Sequence, residues 1–346
     1  MELQQRINAF SELGKILKHH LSKDESISSN PILDQAMFLA QQANGWFDQD
    51  NLNFAFGQWA ALLTSDKLTK WMANYPENQR AYKEVGIVAA GNIPLVGFHD
   101  LLSVLICGAK AQVRLSKNDK HLLPALVRLL EELEPGFKGR TNFTEDRLTG
   151  FDAVIATGSN NTARYFDHYF GRYPHIIRRN RNGVAVLDGS ETATELEALA
   201  DDIFRYFGLG CRNVSKIFIP EGYDFDPFFK AMYSRRSVIN HHKYMNNYDY
   251  NKAVYLMSDI PLLDNEFMLL KEDTGYASPI GVVYHEAYKN LDEVVSRLSH
   301  DRDQIQCVVS KIGLEESLYF GQAQLPALED YADGVDTVDF VLNTSQ

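Results

Sequence analysis

Through the first 80 or so residues the apolar positions recur at helical spacing. They predict helices from about Leu3 to Leu21, after Asn30-Pro31, and around Trp59 to Trp71. Asn30 and Pro31 mark a helix start, because Pro tolerates the first helical position and Asn caps it. After Tyr82 short apolar runs alternate with longer amphipathic ones. Val85–Ala90, Ala111–Leu115, Ala153–Thr157 and Val184–Leu187 read as buried strands, with helices at Phe98–Cys107, Asp119–Leu133 and Asn161–Phe170 between them. Strand and helix in turn predict βαβ units, hence an α/β fold with a parallel sheet and a ligand site at the carboxyl ends of its strands. A second αβ block opens with a helix from Ala193 to about Phe207, then a Gly-rich turn and the strand Lys216–Pro220. The tail Tyr319–Gln346 carries Gly321, Pro326 and Gly334 and reads as an extended or hairpin-like segment. Without an internal repeat or a Gly/Ser-rich linker, the two blocks are expected to pack closely across a cleft.

Composition narrows the field. The 346 residues are 45% apolar and 23% charged, enough for two cores. A net charge of −12 argues against nucleic acid or an anionic membrane as the main partner. No run of about 18 apolar residues is present to span a bilayer. MELQQRINAF lacks the basic-then-apolar order of a secretory signal, so a cytoplasmic setting is expected. Cys107, Cys211 and Cys307 are too few and too scattered for a disulfide framework or a zinc site. His19-His20 and His241-His242 lack further ligands at metal spacing, and no metal is expected.

Chemistry concentrates around Phe207-Gly-Leu-Gly-Cys211-Arg-Asn-Val-Ser-Lys216-Ile-Phe218. A cysteine after two closely spaced glycines, between a helix and a strand, sits on a tight turn that a substrate can approach. Nearby cations and oriented N–H groups lower a thiol pKa and make it a nucleophile near neutral pH. The alternative is a small buried apolar residue. Cys107, in an apolar helix, and Cys307, in the strand-like Ile305–Val309, are expected in the core.

The surroundings of Cys211 resemble the aldehyde dehydrogenase superfamily. There the nucleophilic cysteine is followed by a basic residue five positions on and by an aromatic seven positions on, places filled here by Lys216 and Phe218. Val88-Ala-Ala-Gly-Asn92-Ile-Pro94 resembles the strand-loop motif whose Asn donates to the oxyanion, and this implies that role for Asn92. The stretch Gly108 to Lys117 resembles the strand that grips the adenosine ribose, which assigns Arg114, Ser116 and Lys117 to the cofactor. A Lys at the position of the family's Glu attracts a 2′-phosphate and implies NADPH in preference to NADH. Thr157-Gly158-Ser159 before a helix is a further mark, placing N–H groups near a diphosphate. Glu272, shortly before Ser278-Pro279, corresponds to the Glu that binds the nicotinamide ribose.

The oxidising members carry a water-activating Glu before Gly-Gly-Lys. The comparable stretch here, Ile177 to Leu187, has basic residues instead, which suits exchange of an acyl group with a thiol over hydrolysis. Together with Gly208-Leu-Gly-Cys-Arg212, Ser278-Pro-Ile-Gly-Val282 and Tyr331-Ala-Asp-Gly-Val-Asp-Thr337, this resembles the LuxC-like acyl-CoA reductases, typified by the fatty-acid reductase subunit of bacterial luminescence. The resemblance implies a nucleotide-binding domain with N-terminal helices over residues 1–205 and a catalytic domain over 206–324. It implies a tail, 325–346, that packs back on the first domain or on a partner subunit. It implies an acyl-CoA thioester reduced with NADPH through a Cys211 acyl-enzyme, CoA leaving, in a homo-oligomer or beside an acyl-activating partner enzyme. A CoA-dependent or hydrolytic aldehyde dehydrogenase and a non-catalytic nucleotide-binding scaffold are the alternatives. Arg114, Lys117, Arg178, Arg179 and Arg181 are the expected sources of positive charge for these polyanions.

Overall fold

The structure, a computed structural model, describes residues 1–22, 29–76, 81–158 and 160–342. Two compact units emerge, Met1–Arg179 with Ala327–Gln346, and Asn180–Pro326.

In the first unit, helices α1 (Leu3–His20), α2 (Pro31–Ala43), α3 (Gln49–Leu62) and α4 (Ser65–Met72) precede the sheet. The Asn30 side chain accepts from the Ile32 and Leu33 amides, and Pro31 opens α2. The single helix expected around Trp59 to Trp71 is two, because the Thr64 hydroxyl accepts from the Lys67 amide and starts a new helix. Then follow β1 (Glu84–Val88), α5 (Phe98–Ile106), β2 (Lys110–Arg114), α6 (Leu122–Leu133), β3 (Thr141–Thr144), β4 (Ala153–Thr157), α7 (Asn160–Phe170) and β5 (His175–Arg178). All five strands are parallel in the order β3-β2-β1-β4-β5. The connection reverses between β1 and β4, so the loops leaving these two strands line the crevice where ligands bind in such sheets. The edge strands β3 and β5 have no counterpart among the predicted strands.

The tail is not a hairpin. Residues Thr337–Leu342 form a helix, and the segment before it is clamped to α4 and the strand region. Trp71 Nε1 donates to Tyr331 Oη (2.7 Å), Tyr75 Oη to Asp336 Oδ2 (2.7 Å), and the Tyr82 amide to the Val341 carbonyl (3.0 Å). Arg178 is buried and donates to Asp100 Oδ1 (2.6 Å) and Thr337 Oγ1 (2.9 Å).

In the second unit lie β6 (Asn182–Val186), α8 (Ala193–Phe204), β7 (Val214–Pro220), α9 (Phe225–Met232), α10 (His242–Met257), β8 (Leu263–Asp264), β9 (Leu269–Glu272), β10 (Val282–Tyr288), α11 (Leu291–His300) and β11 (Ile305–Ser310). The order is β11-β6-β7-β10-β9-β8, parallel except for β8 against β9. Residues 180–205 therefore leave the first block expected from the sequence. With β5 taking the edge of the first sheet, β6 pairs with β7 and β11 instead. Among the described residues no helix is long and apolar enough to cross a membrane.

Candidate active site

The first loop leaves β1 as Ala89-Ala-Gly91-Asn92, and Asn92 is exposed at its tip. A Cβ on Gly91 would lie 2.5 Å from Ser116 Oγ and 2.7 Å from Ser116 Cβ, so only glycine lets this loop touch the one that follows β2. Buried Asn44 donates to the Gly91 carbonyl (3.2 Å) from the end of α2. Leu95 is held at φ 59°, a conformation that costs a non-glycine residue energy and needs outside support. Asp119 supplies it. This carboxyl is only 4% exposed and receives backbone hydrogen bonds from Leu122, Leu95 and His121. Burial outweighs those bonds and raises its pKa to about 7. Its Oδ1 is buried and has no hydrogen-bond partner.

Beyond β2, Arg114 and Lys117 are exposed, and neither lies within 4 Å of a carboxylate among the described residues. Ser116 is half-buried, its Oγ accepting from the Asn118 amide at 3.2 Å. Gly158 follows β4, and its amide donates to the Arg178 carbonyl (3.4 Å). Ser159 lies outside the described residues. The remaining cations expected to serve polyanions are otherwise engaged. Arg178 is in the buried pair with Asp100, Arg179 meets Asp167 (3.1 Å), and Arg181 donates to the Arg302 and Ile305 carbonyls. Within a basic run Arg178 reads as a surface residue, yet Asp100 and Thr337 accept from its guanidinium and make it the internal strut between α5 and the tail.

The second loop runs from α8 to β7 and carries Cys211, which is exposed. Tyr206, Phe207 and Gly208 are all left-handed, at φ 54°, 57° and 77°, so the chain reverses abruptly just before the cysteine. Two of the three are buried aromatics, and Phe207 stacks on His241 with ring centroids 4.0 Å apart. The strain is held by Asn213, 2% exposed. Its Nδ2 lies 3.0, 3.3 and 2.8 Å from the carbonyl oxygens of Asp202, Ile203 and Arg205, and its Oδ1 accepts from the Gly210 amide (2.8 Å). One carboxamide thus caps the helix end and ties down the cysteine turn. A Cβ on Gly183 would lie 2.5 Å from the Arg212 carbonyl oxygen, so β6 comes against this turn only as glycine. Arg212 Nε donates to the Ala323 carbonyl, and Asp202 accepts from the Gly321 (2.6 Å) and Ala323 (2.9 Å) amides. Burial raises Asp202 to about 7 as well.

Behind the loop, Lys216 is fully buried, bonded to Glu286 Oε2 (2.7 Å) and the Asp273 carbonyl, with Nζ 5.2 Å from the Phe218 ring centroid. Burial lowers its pKa, and Glu286 opposes the shift. Ser215 Oγ donates to the Tyr276 carbonyl (2.7 Å). Glu272 ends β9, exposed, in register with His285 of β10. Cys107 and Cys307 are half-buried, not fully in the core. Burial pushes the Cys107 thiol up to about 12, whereas Cys307 Sγ sits 3.7 Å from the Arg212 carbonyl. Among the described residues no group of three His, Cys, Asp or Glu side chains could hold a metal ion.

Asn92, Arg114, Ser116, Lys117 and Gly158 thus belong to the first unit, Cys211 and Glu272 to the second. Sequence reasoning missed both braces. Asn213 stood inside Asn213-Val-Ser215, which reads as a glycosylation triplet, and Asp119 read as an ordinary helix start.

A family model described as acyl-CoA reductase (LuxC) matches residues 1–235, a span that includes Asn92 and Cys211. No curated protein matches the sequence significantly. The fold is similar to aldehyde dehydrogenase 21 from Physcomitrella patens (TM-score 0.69, 12% identity, 99% of this chain and 84% of that one). It is also similar to an NAD-dependent aldehyde dehydrogenase from Sinorhizobium meliloti (TM-score 0.65, 12% identity, 92% and 72%). A Mycobacterium tuberculosis aldehyde dehydrogenase complexed with NAD+ gives TM-score 0.60 at 12% identity, covering 90% of this chain and 73% of that one. At such identities the likeness shows the fold.

Proposed function

The chain belongs to the LuxC acyl-CoA reductase family and is an oxidoreductase, and we propose that it reduces an acyl-CoA thioester to the aldehyde through an acyl group carried on Cys211. The observation that supports this most is an exposed thiol on a turn whose backbone is fixed by Asn213. A nucleophile must be reachable by substrate and must not wander, and this turn meets both demands.

In the first half-reaction the Cys211 thiolate attacks the thioester carbon, a sulfur–acyl bond forms to Cys211, and the bond to CoA breaks, CoA leaving as thiolate. One thioester replaces another, so the exchange is close to isoenergetic, and the protein's contribution is alignment and stabilisation of charge. That charge develops on the carbonyl oxygen. Asn92 and the Cys211 backbone N–H are the proposed donors, each worth about 3–4 kcal/mol in the transition state.

Arg114, Ser116, Lys117, Gly158, Ser159 and Glu272 are the proposed contacts for a nicotinamide dinucleotide, which supplies the hydride when bound. The residues fit such a group: two exposed cations, with no carboxylate within 4 Å among the described residues, lie at and just beyond the end of β2, beside the switch-point loops of β1 and β4. Lys117 favours the 2′-phosphate of NADPH over NADH. The stretch from His175 to Leu187 carries no carboxylate to activate water, which favours release of the acyl group as aldehyde over its hydrolysis. The reading extends to a cytoplasmic enzyme acting as a homo-oligomer or beside an acyl-activating partner.

The test is NADPH oxidation across acyl-CoA chain lengths, with NADH in parallel. Cys211→Ala is expected to abolish both turnover and labelling by radioactive acyl-CoA. Labelling that persists in this variant overturns the assignment.

A further inference from the structure

At the opposite ends of the same strands, the first unit holds a crevice of about 630 Å³ whose wall includes Arg6, Lys83, Lys110 and Arg140. None of the four has a carboxylate within 4 Å among the described residues, although eight or more ion pairs form elsewhere on the chain. Among the described residues that line it, Glu84 is the one acidic side chain. Asp152 stands nearby and keeps its charge, its Oδ2 held by the Lys83 and Glu84 amides (2.9 and 3.0 Å), so at most two carboxylates face the four cations among the described residues.

The two arginines are fixed. Arg6 Nε donates to the Ile106 carbonyl (2.6 Å), and its Nη1 to the Met1 carbonyl. Arg140 Nη1 donates to the Gly108 carbonyl (2.7 Å). Carbonyl contacts orient a guanidinium without neutralising it. Burial pulls the Arg6 pKa down and the Arg140 charge pulls the same way, with Glu2 opposing. Four cations held together in a chain of net charge −12 repel one another, and an anion bound among them relieves that repulsion.

We propose that this crevice binds a small molecule bearing two or more phosphates, of the size of a nucleoside diphosphate. A single carboxylate answers one of the four charges, whereas a diphosphate spans several and matches the fork geometry of fixed arginines. The volume lies in the range of nucleotide-sized ligands. Tyr82 lines the same crevice and offers an aromatic ring to a base. The site is separate from the cofactor loop, because Lys110 begins β2 and Arg114 ends it.

Titration calorimetry of the full chain with pyrophosphate and with ADP tests this. Both should bind, and the Lys83→Gln/Lys110→Gln double variant should bind each about tenfold or more weakly. Lys117→Gln, which reports on the proposed cofactor site at the other end of the sheet, should not reproduce the loss seen in the double variant. Tighter ADP than pyrophosphate binding identifies a nucleotide; equal binding identifies a free polyphosphate. An unchanged melting temperature and recovery of binding in Lys110→Arg show that the double variant acts through charge. Absence of binding to the wild-type chain, binding unaffected in the double variant, or loss only in Lys117→Gln each overturns the proposal. Acyl transfer to Cys211 is read separately, by labelling, so its failure and this one are distinguishable.

Discussion

The loop after β1 and the loop before β7 each present one polar side chain to solvent, but a buried carboxylic acid braces the first and a buried carboxamide braces the second. Asp119 gathers the amides of Leu95, His121 and Leu122. Asn213 gathers three carbonyls and gives one acceptor back to Gly210. The choice follows from what each loop leaves unsatisfied. N–H groups need an acceptor, and a carboxyl provides one at the cost of an ionisable proton. Carbonyls at the end of α8 need a donor, and an amide provides it with no charge at all. The first loop is therefore sensitive to pH at its brace and the second is not, Asp202 standing one step behind it.

Four substitutions sharpen or break this contrast. The largest effect is expected from Asn92→Ala, which removes the proposed oxyanion donor and should lower kcat by about 100–1,000-fold with little change in melting temperature. Equal kcat in the variant would remove the first loop from the chemistry. Asn213→Ala should cost about 3 kcal/mol by leaving buried polar groups without partners, measured by urea unfolding, and should slow acyl labelling of Cys211 because the turn relaxes.

Asp119→Asn tests the ionisable brace. The folded carboxyl keeps its proton to about pH 7, whereas an unfolded one releases it near pH 4, so the native state binds more protons in between. Stability from this group is present in acid and is lost as pH rises through about 7, amounting to about 2 kcal/mol between pH 5.5 and 8. The variant should flatten that part of the melting-temperature profile, Asp202 supplying what remains. A profile unchanged by the substitution would mean that Asp119 is ionised throughout. The smallest effect is expected from Lys117→Glu, which should shift the NADPH-to-NADH ratio of kcat/KM about tenfold towards NADH.

The strand-helix alternation and the Asn30-Pro31 start were legible because buried strands are apolar runs and caps are local. The edge strands were not. Thr141-Asn-Phe-Thr144 and His175-Ile-Ile-Arg178 are half-polar, and their pairing is a property of the sheet, invisible in a window of a few residues. Cys211 stood out through its glycines. The residue that holds its turn lay two positions away and escaped, since the partners of Asn213 are backbone atoms 8 to 11 residues upstream and carry no side-chain signature. Arg178 misled for the converse reason: within a basic run, only tertiary structure shows that one member faces inward to Asp100 and Thr337.

The clamp between the tail and α4 also bears on the order of events during synthesis. Tyr331 meets Trp71 across 260 positions of chain, and Thr337 reaches Arg178 across 159. Every residue of the second unit leaves the ribosome before these partners do. Until then Trp71, Tyr75 and the Arg178–Asp100 pair lack these tail contacts, so the unit that starts first is finished last.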